Sequence, residues 1–522
     1  MKTGFLSKKL IIILLSIFIT SIIYSKEAKV ITYPAPEGET PSLDYNIKVN
    51  DNQVFVVEVN GWHNALYLFA NEIEKNPPKP GAVLISTKVN SGEIIKIGTA
   101  VVDISPKNPI WLVGYASRKK PSEGIEHPIY AKAITFEDSD GSKAVLVTMD
   151  LLGFHRELAN EIADRVKNEL GIPRANLMLT STHTHAAPIL YRTPINMFDL
   201  SDKEWQTVAE YTQFLKNALF EVIKNSLLDL SPGSLMFGKG NSDVAKNRRV
   251  VAKDKVSMSE NPAGPVDSEV PVLVVRDSGG NQKAILFGYA CHGTTLTGDN
   301  YLVCGDFMGF TQKYLEIAQP GTTTLFVAGC GADANPSPRG TMNDARINGM
   351  SLAGAVTDVL RKKMKPVSGL IRCEYKLIEL EFASIPTANE LEERLNSENP
   401  HERRRARYFL NILEKDGKIP RTYSYPIQVW KIGDGLTMVS LGGEVVVDYA
   451  LRLKKELPAE NLWTIAYAND VCGYIGSKRI LNEGGYEADA SAVYYNLPSR
   501  WANDVEERII SAVEEIIKKM QN

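Results

Sequence analysis

Three stretches decide the fold class: Ala144-Val145-Leu146-Val147-Thr148-Met149, the segment 157–170, and Ala175-Asn176-Leu177-Met178-Leu179-Thr180-Ser181-Thr182-His183-Thr184-His185-Ala186-Ala187-Pro188. The first is an apolar run of strand length. The second has helical periodicity and stops at Gly171-Ile172-Pro173. The third is again strand-like up to its histidines. Strand, helix and strand at this spacing predict a parallel unit. The chain has only seven histidines, and two of them sit one residue apart at the end of this unit. Residues i and i+2 of a strand face the same way. Two imidazoles leaving a sheet edge together point to a metal site more than to a packed core.

Working outward, the alternation recurs. Residues 283–290 predict a strand and 307–317 a helix. Residues 323–328 predict a strand and 345–364 a helix. Residues 436–441 predict a strand that leads through Glu444 into a helix ending at Pro458. A strand over 462–466 and a closing helix over 503–519 complete the pattern. Four strand ends carry His183, His292, Asp333 and Glu444. Ligands collect outside the carboxyl ends of strands in α/β sheets, so these four ends are expected to converge. The predicted fold class is α/β, a large mixed or parallel-sheet catalytic domain with flanking helices. The charged segment 387–415 predicts a solvated helical hairpin.

The N-terminal part differs. Lys2, Lys8 and Lys9, an apolar run over 10–23 and small Ser25 have the form of an export signal, too short to span a bilayer. Residues 45–59 alternate like strands with Asp51-Asn52 as a turn, and Asn76-Pro77-Pro78-Lys79-Pro80-Gly81 breaks the chain. The expected division is a signal peptide over 1–25, a small β-rich appendage over 26–95 and a main domain over 96–522. A periplasmic or secreted location follows from the leader.

The 522 residues are 44% hydrophobic, enough for a large core, and the 59 basic and 62 acidic residues nearly cancel. No basic stripe with interleaved aromatics is present, which excludes nucleic acid as a partner. Contact with a membrane surface and the oligomeric state stay open. The five cysteines are odd in number and form no C-x-x-C pair, so no disulfide framework is expected.

Each further cluster has two readings. His292, in Tyr289-Ala290-Cys291-His292-Gly293-Thr294-Thr295, is a core histidine or a ligand. Asp306 opens a helix as a cap. Glu444, after Gly442-Gly443, is a first-turn carboxylate stabilised by the helix dipole or a ligand. Gly329-Cys330-Gly331-Ala332-Asp333-Ala334-Asn335-Pro336 is a capped turn, or a loop whose amides and Asn335 bind a polar substrate group.

Taken together, these blocks resemble the neutral/alkaline ceramidase family of zinc amidohydrolases. The opening Ile97-Gly98-Thr99-Ala100-Val101-Val102-Asp103-Ile104-Ser105-Pro106 and Val113-Gly114-Tyr115 are similar to that family's start. Ser-Thr-His183-Thr-His185 matches its histidine motif. His292-Gly-Thr-Thr with Gly305-Asp306 and Gly309, Gly442-Gly443-Glu444, and Tyr486-Glu487-Ala488-Asp489-Ala490-Ser491 resemble later blocks. The resemblance covers about 96–500.

The resemblance implies one Zn2+ per chain held by His183, His292, Glu444 and Tyr474. It implies His185 as a proton-transfer or hydrogen-bonding group, and Tyr486 and Arg248 as oxyanion stabilisers; the Gly-rich loop adds Asp333 and Asn335 as substrate-binding candidates. The implied reaction is hydrolysis of the N-acyl amide of a lipid-like, ceramide-type substrate. Other readings are the same fold acting on a different amide or ester, and a non-catalytic surface module. Three departures stand out. Asn335 occupies the position of a family serine, which excludes a serine mechanism there. A C-terminal immunoglobulin-like domain is not expected, and the N-terminal appendage is extra.

Overall fold

The apolar runs assemble into a sheet that is parallel at both ends and antiparallel in between. This is a computed structural model. It describes residues 95–521, apart from 192, 194, 254 and 458–460, together with the backbone of four earlier strands. The chain divides into two units, 1–94 and 95–522.

In the larger unit, nine strands form the main sheet. Its order is Thr323–Ala328, Gln282–Tyr289, Glu269–Asp277, Ser231–Asn241, Ile95–Asp103, Tyr130–Glu137, Lys143–Met149 and Leu177–Ser181, with Lys365–Val367 on Ser231–Asn241. The expected parallel units are the two ends: Lys143–Met149 beside Leu177–Ser181, and Gln282–Tyr289 beside Thr323–Ala328. The other pairings along that path are antiparallel. Tight turns explain two of them. Asp138 accepts hydrogen bonds from the amides of Asp140 and Ser142, ahead of Gly141 at φ 79°. Asp277 does the same for Asn281 around Gly280 at φ 80°. Such Asp/Gly turns reverse a strand onto its neighbour.

Helix Arg156–Leu170 ends at Gly171, whose φ of 73° is the left-handed cap its glycine allows. It turns Leu158, Ile162 and Val166 inward, and helix Asp202–Leu228 buries Leu215, Leu219 and Ile223 beside them. The charge-poor centre of that second helix was not singled out in the sequence. Ser201 and Glu204 form its capping box. Each buried Leu or Ile contributes roughly 1.5–3 kcal/mol, so these two helices cover one face of the sheet firmly.

A second sheet, Ile371–Glu381, Thr422–Ile432, Leu436–Leu441 and Leu462–Ile465, ends in another parallel pair. Just after it, residues 466–469 tie the two outer strands of the main sheet. Ala466 N donates to Ala328 O at 2.9 Å, Ser181 N to Tyr467 O at 3.3 Å and Asn469 N to Leu179 O at 2.8 Å. The two far edges of the main sheet therefore meet at one place.

The segment 387–415 is a helical pair, Ala388–Arg394 and Pro400–Asp416. It is less solvated than expected, because Arg405 is buried and reaches Pro498 O at 3.4 Å. In the smaller unit, Lys29–Thr32, Tyr45–Val49, Phe55–Val59 and Val83–Ser86 form a four-stranded sheet in that order, with only the last pairing parallel. The leader over 1–25, the Asp51-Asn52 turn and the Asn76–Gly81 breaker lie outside the described residues.

Candidate metal centre

Strand Leu177–Ser181 stops two residues before His183. His183 then adopts φ 61°, a left-handed backbone uncommon outside glycine. The expected strand alternation is therefore not what aligns the two imidazoles. A left-handed turn does it, and the rings of His183 and His185 meet edge to face with centroids 4.9 Å apart. The ring of His183 stacks on Tyr467 at 4.2 Å, and its Nδ1 donates to Leu152 O at 2.5 Å.

His185 is pinned by the other parallel pair. Its backbone N donates to Gly293 O at 3.1 Å, and Thr184 bridges Gly293. The approach needs glycine: a Cβ on Gly293 would lie 2.2 Å from His183 O. Gly114, at φ 112°, likewise passes where a Cβ would stand 2.4 Å from His185 Nδ1. His185 Nδ1 donates to Gly114 O at 3.2 Å. With both Nδ1 hydrogens used, the lone pairs of His183 and His185 lie on Nε2.

His292 completes the cluster. The Nε2 atoms of the three histidines stand 3.0 Å (His183–His292), 3.0 Å (His185–His292) and 3.2 Å (His183–His185) apart. Among the described residues, this is the group of three or more His, Cys, Asp or Glu side chains with donor atoms close enough for one metal ion. Glu444 Oε2 lies 3.1 Å from His183 Nε2 and 3.4 Å from His292 Nε2. His183 and His292 are fully buried and His185 is 8% exposed, the one ring on the open side. Burial, and then the neighbouring histidines and Arg248, hold His185 and His292 well below the usual histidine range. Both imidazoles are neutral at neutral pH.

Glu444 is not a first-turn residue. The following helix begins at Val447, and its first amide is capped by Asp333 Oδ1 at 2.9 Å. Glu444 instead pairs in register with Tyr474 across a two-residue parallel ladder, which sends both side chains to the same place. Tyr495 OH donates to Glu444 Oε1. Glu444 Oε2 is buried without a hydrogen-bond partner.

Tyr474 meets the buried Arg248, whose Nη2 donates to the phenol oxygen at 3.0 Å. Arg248 also donates through Nε to Glu487 Oε1 at 2.9 Å and through Nη1 to Asn335 Oδ1 at 3.1 Å. Arg249 reaches Glu487 Oε2 at 2.5 Å. The arginine pair is therefore buried, not a surface pair. Burial raises the Glu487 carboxyl, but Arg248 and Arg249 outweigh it and hold it below the usual range. Glu487 lies inside a motif quoted above, yet its role as the arginines' counter-ion was missed. Tyr486 is half-buried, with its ring 5.3 Å from that of Tyr474.

Asn335 joins the group through Arg248 and Thr294 Oγ1, 3.0 Å away. Asp333 does not face the substrate side as the loop reading expected. It is fully buried and serves the Val447 amide and Asn247 Nδ2, the latter at 3.2 Å. Asp306 is not the cap expected of it: Gly305 is the N-cap and makes no side-chain cap bond, while Asp306 is the first helical residue, buried, and accepts from Phe307 N at 2.6 Å and Leu296 N at 3.0 Å.

Fold and site define an α/β protein whose two sheet ends deliver histidines to a buried centre shared with a glutamate. Residues 95–342 match the family described as neutral/alkaline non-lysosomal ceramidase, N-terminal. Neutral ceramidase B of Dictyostelium discoideum is 26% identical over 276 residues, 49% of this chain and 37% of that protein. Neutral ceramidase of Pseudomonas aeruginosa is 25% identical over 215 residues, 40% of this chain and 31% of that protein. The match thus spans about a third of the length of these relatives. The crystal structure of neutral ceramidase from Pseudomonas aeruginosa shares the fold, with a TM-score of 0.63 at 18% identity, over 80% of this chain and 73% of that one. A structure described as ceramidase complexed with C2 aligns with a TM-score of 0.59 at 17% identity.

Proposed function

We propose that this chain is an exported, zinc-dependent amidohydrolase that cleaves the N-acyl amide of ceramide-like sphingolipids. The observation that carries the reading is the convergence of three imidazole Nε2 atoms, two of them, those of His183 and His292, beside the Glu444 Oε2 that has no hydrogen-bond partner. The donor set fits zinc. Two nitrogens each about 2.05 Å from a tetrahedral zinc stand about 3.3 Å apart, close to the 3.0–3.2 Å seen here. The proposed ligands are His183, His292, Glu444 and Tyr474. Bound there, zinc would supply an acidified water and polarise the amide carbonyl.

The chain's own groups do the rest. His185, neutral and on the open side, takes the proton of the attacking water at Nε2 and returns it to the leaving nitrogen. Gly114 O keeps that Nε2 free by holding Nδ1. The half-buried Tyr486 donates its hydroxyl to the carbonyl oxygen as charge develops there. Arg248 fixes Tyr474 and Asn335 and adds positive charge behind them. Asn335 offers no hydroxyl nucleophile.

The test is metal content together with fatty-acid release from labelled ceramide, in wild type and His183→Ala. Zinc near one per chain and loss of both properties in the variant are expected. Full activity in a metal-free His183→Ala protein would sink the reading, and acyl esters or N-acyl sugars outpacing ceramide would move the substrate. The near-equal spacing of the Nε2 atoms favours a second ligand set, with His185 replacing Tyr474. Zinc retained in His185→Ala but lost in Tyr474→Phe supports the first set; the reverse supports the second.

A further inference from the structure

The polar wall beside the metal centre carries one donor that the protein itself does not use. Arg248 Nη1 stands 3.1 Å from Asn335 Oδ1, and Thr294 Oγ1 stands 3.0 Å from the same atom. A guanidinium has no lone pair and can only donate. The carboxamide is therefore fixed with its oxygen toward Arg248, and Thr294 gives its proton to that oxygen too. The two ends of an amide are ordinarily interchangeable; here the arginine decides between them. Asn335 Nδ2 is left with no hydrogen-bond partner among the described residues, and it is not enclosed.

The same guanidinium donates through Nη2 to the Tyr474 oxygen at 3.0 Å. Phenol and carboxamide thus sit side by side on one planar fork. Arg248 and Thr294 are buried, whereas Asn335 is half-buried. The group therefore offers a ligand an N–H2, which donates and cannot accept. The selection is one of hydrogen-bond polarity at a single atom. It does not depend on the balance of the charges around it, Lys246, Arg248 and Arg339 against Glu487 and Glu260.

We infer that Asn335 is a specificity-determining residue whose Nδ2 donates to a hydroxyl oxygen on the amine side of the substrate. The inference rests on the amidohydrolase reading above. There the acyl carbonyl oxygen goes to Tyr486, so the acceptor for Asn335 comes from the other side of the scissile bond. In a ceramide-like amide those acceptors are the hydroxyls on the carbons flanking the amide-bearing carbon. A serine in this place would donate or accept; the doubly held carboxamide only donates.

The experiment compares a short-chain ceramide with its two mono-deoxy analogues on the zinc-loaded full chain. One analogue should show a KM about tenfold higher in wild type, the size of a single lost hydrogen bond, with kcat within about twofold. In Asn335→Ala the same analogue and ceramide should differ in KM by less than about twofold. Equal KM values for all three substrates in wild type, or a gap that persists in Asn335→Ala, would overturn the inference. A second readout needs no turnover. In chelator-treated, 15N-labelled protein, the Asn335 side-chain N–H2 signals, identified by their loss in Asn335→Ser, should move on titration with ceramide and less with that deoxy analogue. Signals that stay in place overturn the inference even where ceramide is hydrolysed. Signals that move support it even where no hydrolysis is found, and then the hydrolase reading alone falls. Should Asn335→Ala fail to fold, the side-chain signals decide.

Discussion

The backbone of His183 is left-handed, which costs an L-residue roughly 1–2 kcal/mol. The strain is held by the stack on Tyr467, the bond to Leu152 O and the close passage of Gly293. Gly293→Ala would push a methyl into the His183 carbonyl. We expect it to lower stability by about 1–3 kcal/mol and to reduce zinc stoichiometry, both measurable by denaturant melts and metal analysis. Tyr495 acts on Glu444 from behind, through Oε1. Outer hydrogen-bond partners of ligands typically set affinity by about 10–100-fold. Tyr495→Phe should weaken zinc by that order in chelator competition while leaving the fold intact. Unchanged zinc affinity would show that the Tyr495 hydroxyl does not orient Glu444.

At the scale of elements, strand Ala245–Ala252 brings two arginines into the core, and one carboxylate neutralises both. Arg249 has a second acid in Glu483, whereas the other partners of Arg248 are the neutral Tyr474 and Asn335. Breaking a buried pair costs about 3–5 kcal/mol, so Glu487→Ala should lose about that much in urea unfolding. A loss below about 1 kcal/mol would mean that water reaches Arg248. Part of this was legible in advance. His183, His292 and Glu444 announce themselves because apolar strands end at polar residues. Asp333 has the same local look, yet it caps a helix more than a hundred residues later in the chain. Local sequence does not say which of two strand-end carboxylates meets an amide and which meets an imidazole. The antiparallel middle of the sheet was signalled by Asp138-Ser139-Asp140-Gly141 and Asp277-Ser278-Gly279-Gly280. It was passed over because the strand–helix–strand periodicity is the stronger pattern. Glu487 was hidden for another reason: a counter-ion is recognised only once its arginines are known to be buried.

Across the whole molecule, the site is a pH-dependent part of the stability. His185 and His292 are held neutral by burial, so their folded pKa lies below the unfolded value near 6.5. Their contribution is present above pH about 6.5. It is lost as pH falls, at about 1.4 kcal/mol per pH unit for each group, because the unfolded chain takes up protons the folded one refuses. Asp150, Asp333 and Asp470, each pushed up to about 6 by burial, act in the opposite sense between about pH 4 and 6. The histidine share is therefore read by difference. In chelator-treated protein, His185→Gln should lose less stability than wild type between pH 7.5 and 5.5. Parallel curves would refute it. Zinc release on acidification should follow the same trend, since ligand imidazoles must be unprotonated.

The stitch at residues 466–469 has a consequence in time. It joins the first parallel pair to the last, and Glu444, Tyr474 and Tyr495 arrive after most of the chain. During synthesis at roughly 5–20 residues per second, a histidine cluster made early has no carboxylate to close on until the final stretch emerges. Contacts this distant along the chain form slowly. The nascent protein therefore holds an incomplete half-site, without Tyr467 against His183, until residues 444–495 emerge, and under the proposed zinc reading metal capture would come only after them.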